Sequence, residues 1–134
     1  MRVLLDTNVL VSAFLYGGVP REILLPVAVG GYELITSVAL VAELQDVLLQ
    51  KFGVPPTVVA AFRSELESSA TIVQPAKRPE LLDDPLDDEV LAVAAAASAQ
   101  FIVSGDRHLL AVGSHEGASI FTPRQFSDWL GEQS

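Results

Sequence analysis

The chain has 134 residues, 50% of them apolar and 19% charged, with a formal net charge of −9. That balance excludes a disordered segment and suits one folded domain with a real core, here taken as residues 1–134. The absence of cysteine excludes disulfides and thiolate-held metals and suits a reducing compartment such as the cytoplasm.

Arg2 to Leu5 is a short apolar run that ends in Asp6-Thr7-Asn8, which predicts a buried strand followed at once by a helix over Val9 to Tyr16. Asp6 and Asn8 interrupt the run before a secretory core could form, so no export signal is expected. Gly17-Gly18 should end the first helix. Pro20 suits the first turn of a second one to about Val29, with Pro26 kinking or shortening it and Gly30-Gly31 closing it.

Tyr32 to Thr36 reads as a second strand. Ser37 then caps an amphipathic helix whose stripe is Leu40, Leu44, Val47 and Leu48, ending before Gly53. Pro55-Pro56 opens a helix to about Ser69, Thr71 to Val73 is a short strand, and residues 74–84 form a loop. Asp84-Pro85 starts a helix so rich in Ala and Val that more than one face must be buried. Phe101 to Val103 follows as a buried strand, then a short helical piece at Leu109 to Val112, a strand at Ser119 to Phe121 and a last helix from Pro123 to Leu130. The longest uncharged helical run, Val90 to Ala99, falls short of the roughly 20 residues that span a bilayer, so a soluble protein without a membrane partner is expected. Strands alternating with helices predict an α/β fold with a largely parallel sheet and helices on both faces.

Ligands of open parallel sheets bind beyond the carboxyl ends of the strands. Asp6 and Asp106 both follow buried strands and should emerge on one edge, although each also suits an ordinary helix cap. Glu43 lies beside the apolar stripe of its helix, where an unpaired charge costs several kcal/mol. The chain has only two lysines, Lys51 and Lys77, so a metal is a natural counter-charge. Within Asp83-Asp84-Pro85-Leu86-Asp87-Asp88-Glu89 the helix dipole alone explains most of the acidity. Asp87 shares a helical face with Val90, Leu91 and Ala94 and should point toward the sheet, with Asp88 the close competitor.

Asp6, Glu43, Asp87 and Asp106 are hard oxygen donors without His or Cys partners, which suits Mg²⁺ or Mn²⁺ and argues against zinc. His108 and His115 lack ligand spacing and read as surface or turn residues. Carboxylates crowded at one sheet edge repel, and a divalent ion would relieve them, activate water and stabilise phosphorane charge. That chemistry is phosphodiester hydrolysis. The net charge runs against it, because phosphate binding draws on clustered Lys and Arg, but a bound divalent ion reverses the local field. Arg21, Arg63, Arg78, Arg107 and Arg124 are scattered in sequence.

These segments, in order, resemble the PIN domain family, and especially its VapC-like toxin ribonucleases. The resemblance rests on Asp6-Thr7-Asn8-Val9-Leu10, on Ser37 through Glu43-Leu44 to Leu48, on Asp84-Pro85-Leu86-Asp87-Asp88 with Leu91 and Ala94, on Ser104-Gly105-Asp106, and on Ile120 to Phe126. It implies a three-layer α/β/α sandwich, Asp6, Glu43, Asp87 and Asp106 as catalytic metal-site residues, and Asn8 and Ser104 as polar supports. It further implies cleavage of single-stranded RNA, a cognate antitoxin protein that places an Arg or Lys among the carboxylates, and a homodimer. His108 stands where many relatives carry another Asp.

Two rival functions follow from the same residues. A haloacid-dehalogenase-like phosphatase needs a second acid two residues after the first; here that position is Asn8, and no Lys follows a buried strand. A PIN-like module that binds RNA or protein without cutting is opposed by all four acidic positions being filled.

Overall fold

The inner strands are the apolar runs that the sequence marks out: β1 (Arg2–Leu5), β2 (Glu33–Thr36), β4 (Phe101–Val103) and β6 (Ala118–Phe121). A computed structural model describes residues 1–75 and 80–133. With β3 (Thr71–Ile72) and β5 (Ser114–His115) these strands form one six-stranded sheet in the order β3-β2-β1-β4-β6-β5. Every pairing is parallel except β5 with β6. The four inner strands therefore all end on the same edge.

Alternation along the strands divides the core into two. Val3, Leu5, Leu34 and Val103 cluster with Val9 and Leu10 of α1 (Thr7–Leu15), Ile23 of α2 (Gly18–Leu24), Leu44 of α3 (Val38–Asp46), Val59 and Leu66 of α4 (Pro56–Ser69), and Phe126 of α7 (Pro123–Glu132). Leu4, Ile35, Ile102 and Ile120 cluster with Val90, Leu91 and Ala94 of α5 (Pro85–Ala96) and Leu109 of α6 (Arg107–Val112). The result is a three-layer α/β/α sandwich. As the Ala-rich pattern requires, every residue of α5 from Asp87 to Ala94 is buried.

The differences from the sequence reading are local. The second helix starts at Gly18, two residues before Pro20, and Pro26 marks its change to a 3₁₀ turn over Leu25–Val29. The Pro26 carbonyl accepts from Gly31 N at 2.8 Å. A Cβ on Gly31 would stand 2.8 Å from the Pro26 Cβ, so only glycine fits there. The helix capped by Ser37 is α-helical only to Asp46 and widens into a π turn over Val47–Lys51. Strand β5, absent from the reading, forms a hairpin with β6 across Glu116 and Gly117, whose φ values are 48° and 87°. His115 lies within this short edge strand. Of the expected loop over 74–84, residues 76–79, including Lys77 and Arg78, lie outside the described residues. Among the described residues no single helix is long and apolar enough to cross a membrane. The bent pair formed by α1 with the following helix reaches the length and composition threshold jointly, but much of α1 lies in the core.

Candidate active site

The chain leaves β1 at Leu5 and enters α1 at Thr7, so Asp6 is fixed as the residue that caps α1 at the sheet edge. Its backbone N donates to Val103 O at 2.9 Å, which locks the end of β1 to the end of β4. Its side chain is 5% exposed and uses both oxygens: Oδ1 accepts from Thr7 N at 2.8 Å and Oδ2 from Ser104 Oγ at 2.7 Å. The Ser104 hydroxyl in turn accepts from Asp106 N at 2.9 Å. One fully buried serine thus ties Asp6 to the Asp106 turn.

Asp106 caps α6 as the sequence allows, with Oδ1 accepting from His108 N at 2.7 Å and Leu109 N at 3.4 Å. Capping consumes that oxygen alone, so the bland role and a ligand role coexist in one carboxylate.

Asp87 and Asp88, adjacent in the first turn of α5, meet different fates. Asp88 Oδ1 accepts from Leu81 N at 3.1 Å and Leu82 N at 2.9 Å, so this carboxylate anchors the incoming loop. Asp87 instead faces a cavity of about 310 Å³ lined by Leu81, Leu82, Asp83, Asp84, Asp87, Asp106 and His108. The loop bonds thus separate the competitors: Asp87 joins the edge cluster and Asp88 holds the loop.

The carboxylates share one electrostatic neighbourhood. Burial foremost, then the charges of Asp106, Asp84 and Asp6, raise the Asp87 pKa to about 6, with His108 opposing them. Burial also raises Asp6; the Ser104 and Thr7 hydrogen bonds pull it down, and Asp106 and Asp84 push it up. Glu43, half-buried on α3, is raised by burial, lowered by Thr7, and raised again by Asp6 and Asp84. Asp6 and Glu43 stand outside the cavity lining but within reach of its charges.

Asp84 acts on all three raised carboxyl groups, although the sequence marks it as a helix start and part of the family-like segment and not as a site residue. It does cap that helix, with Oδ1 accepting from Leu86 N at 2.9 Å. The Asp-Pro step marks it as a helix cap, but it follows a loop and not a strand, so nothing in the sequence pattern places it at this edge. Asn8 is exposed and makes none of these hydrogen bonds, so of the two expected polar supports only Ser104 is joined to the cluster. His108 is exposed, as expected of a surface residue, and lines the cavity as well.

The chain matches a PIN domain family model over residues 2–108, a span that carries every member of the cluster. The chain belongs to the PIN domain family. PIN domains are generally nucleases that typically use divalent metal ions, and this one has a nuclease-type fold. No curated protein matches the chain significantly. The all-oxygen donor set of this PIN domain fits a hard divalent cation, and so do the burial and, after it, the mutual repulsion that raise its carboxylates. Among the described residues no three His, Asp or Glu side chains stand in ready-made chelating geometry. Membership in this family removes the haloacid-dehalogenase-like phosphatase.

Proposed function

We propose that this PIN domain is a divalent-metal-dependent endoribonuclease that hydrolyses phosphodiester bonds of single-stranded RNA, as the VapC-like toxin of a toxin–antitoxin pair. The observation that carries this reading is the gathering of Asp84, Asp87 and Asp106 around a cavity at the carboxyl edge of the sheet, with Asp6 and Glu43 within reach of their charge.

Asp6, Glu43, Asp87 and Asp106 would hold Mg²⁺ or Mn²⁺, and the ion would supply an activated water and offset charge on the phosphorane. Ser104 fixes Asp6 and the Asp106 turn in register, so two donors from different strands keep one spacing. Asp87, whose pKa burial and then the neighbouring carboxylates raise to about 6, would gain the ionised form from an arriving cation. Leu81 and Leu82, whose N–H groups Asp88 holds, line one side of the cavity.

The acidic total charge leaves few places for an RNA backbone. Arg107 and Arg124 are exposed, form no ion pair among the described residues, and stand just beyond the carboxyl ends of the neighbouring strands β4 and β6. They support a substrate path that leaves the cavity along that side. An antitoxin would silence the site by inserting an Arg or Lys among the carboxylates in place of the metal.

The test is cleavage of labelled single-stranded RNA with Mn²⁺, with Mg²⁺ and with chelator, beside Asp6→Asn. Metal-dependent cleavage that falls by about a hundredfold or more in Asp6→Asn is the expected result. A folded wild type that binds metal and RNA but never cuts would convert the reading to a binding module.

A further inference from the structure

Two buried side-chain oxygens among the described residues have no hydrogen-bond partner, Oγ1 of Thr7 and Oγ1 of Thr36. Both residues are almost wholly enclosed, at 3% and 1% exposure. A buried hydroxyl without a partner is destabilising, and valine, of the same shape, would avoid the cost. Thr36 acts on none of the raised carboxylates. Thr7 is different. It is the first residue of α1, its N–H donates to Asp6 Oδ1, and its hydroxyl acts on Glu43 across the packed pair α1 and α3 while falling short of a hydrogen bond.

We infer that Thr7 is a positioning residue for Glu43, its fixed buried hydroxyl aimed at a carboxylate that closes onto it when a divalent cation binds. The inference rests on the metal-dependent reading above. Glu43 has a long, half-buried side chain, and to act together with Asp6 it must be held in one orientation. Thr7 suits that task because β-branching restricts its rotamers and the Asp6 bond fixes its backbone. One residue then serves two carboxylates, the N–H for Asp6 and the O–H for Glu43. Among crowded carboxylates a donor is welcome where another acceptor would add to the repulsion. The orphaned hydroxyl is the signature: it weakens the fold unless it has a task in the bound state.

The experiment is Mn²⁺ titration by calorimetry of chelator-stripped protein, with thermal unfolding in chelator, on wild type and variants. Thr7→Val should bind Mn²⁺ about tenfold more weakly, while its Tm in chelator stays level or rises. Thr7→Ala should lose the same affinity, so the result does not depend on one variant folding. Thr7→Ser should keep wild-type affinity. Thr36→Val should raise Tm and leave the affinity unchanged. In a Glu43→Gln background the effect of Thr7→Val should vanish, because the two residues act through one contact. Wild-type affinity in Thr7→Val, or an equal loss with Glu43→Gln present, overturns this inference alone. A wild type with no Mn²⁺ affinity overturns it together with the metal reading.

Discussion

The aromatic cluster beneath α7 and the carboxylate cluster at the sheet edge are built on opposite terms. Phe126, fully buried, sits 5.6 Å from Tyr32 and 5.4 Å from Phe101 between ring centroids, and Trp129 packs 4.6 Å from Phe101. The Tyr32 hydroxyl donates to Ile23 O at 2.6 Å, so even the polar atom there is satisfied. At the edge, burial and then neighbouring charge raise the carboxylates, and two buried threonine hydroxyls have no partner. One region contributes stability without chemistry; the other gives up stability to hold charge in readiness. Frustration confined to one edge marks where function sits.

The sharpest way to break that contrast is Phe126→Ala, which removes the ring on which Tyr32, Phe101 and Trp129 converge and should cost about 3–5 kcal/mol. Urea unfolding measures the loss, and Mn²⁺ affinity of the variant that remains folded should stay at the wild-type level. Linked losses of stability and affinity would show that the two regions are not separate.

Asp88→Ala comes next. It leaves Leu81 N and Leu82 N without their acceptor, at a cost of about 1–2 kcal/mol tempered by water at the partly buried loop. The same unfolding assay applies, and faster proteolysis near residues 81–82 would locate the effect.

The smallest effect has the most telling sign. Asp87 titrates near 6 in the fold against 3.8 in the unfolded chain, so the folded state binds that proton more tightly. Stability from this group is fully present below about pH 4, declines as pH rises, and is lost above about pH 6. Asp87→Asn should therefore match wild type near pH 4 and exceed it at pH 7 by on the order of 1 kcal/mol, after discounting for the open side of the cavity. Tm measured in chelator at both pH values decides it; a variant less stable than wild type at pH 7 would mean that the Asp87 charge supports the fold.

Much of the fold was legible because it follows from patterns that local physics enforces. Apolar runs bounded by Asp, Ser or Gly marked β1, β2, β4 and β6, and the Ala-rich face of α5 predicted burial on more than one side. Strand β5 was not legible, since Ser114-His115 carries no apolar alternation and exists only through its antiparallel partner and a turn with two positive φ values. At the site, Asp6 and Asp106 were legible from their places after strands. Asp87 and Asp88 could not be separated by position alone, because backbone donors at Leu81 and Leu82 decide between them. Asp84 was obscured by the dipole explanation that fits any acid at a helix start. The orphaned hydroxyl of Thr7 needed coordinates, since sequence carries no trace of a bond left unmade.

The family match ends at residue 108, yet β6 inserts between β4 and β5 and completes the sheet beyond it. A polypeptide stopped at that boundary would keep every carboxylate of the cluster and lose the strand that covers β4. Its bare row of amides and carbonyls would be a template for self-association, so the acidic edge depends for its solitude on residues that contribute none of its charge.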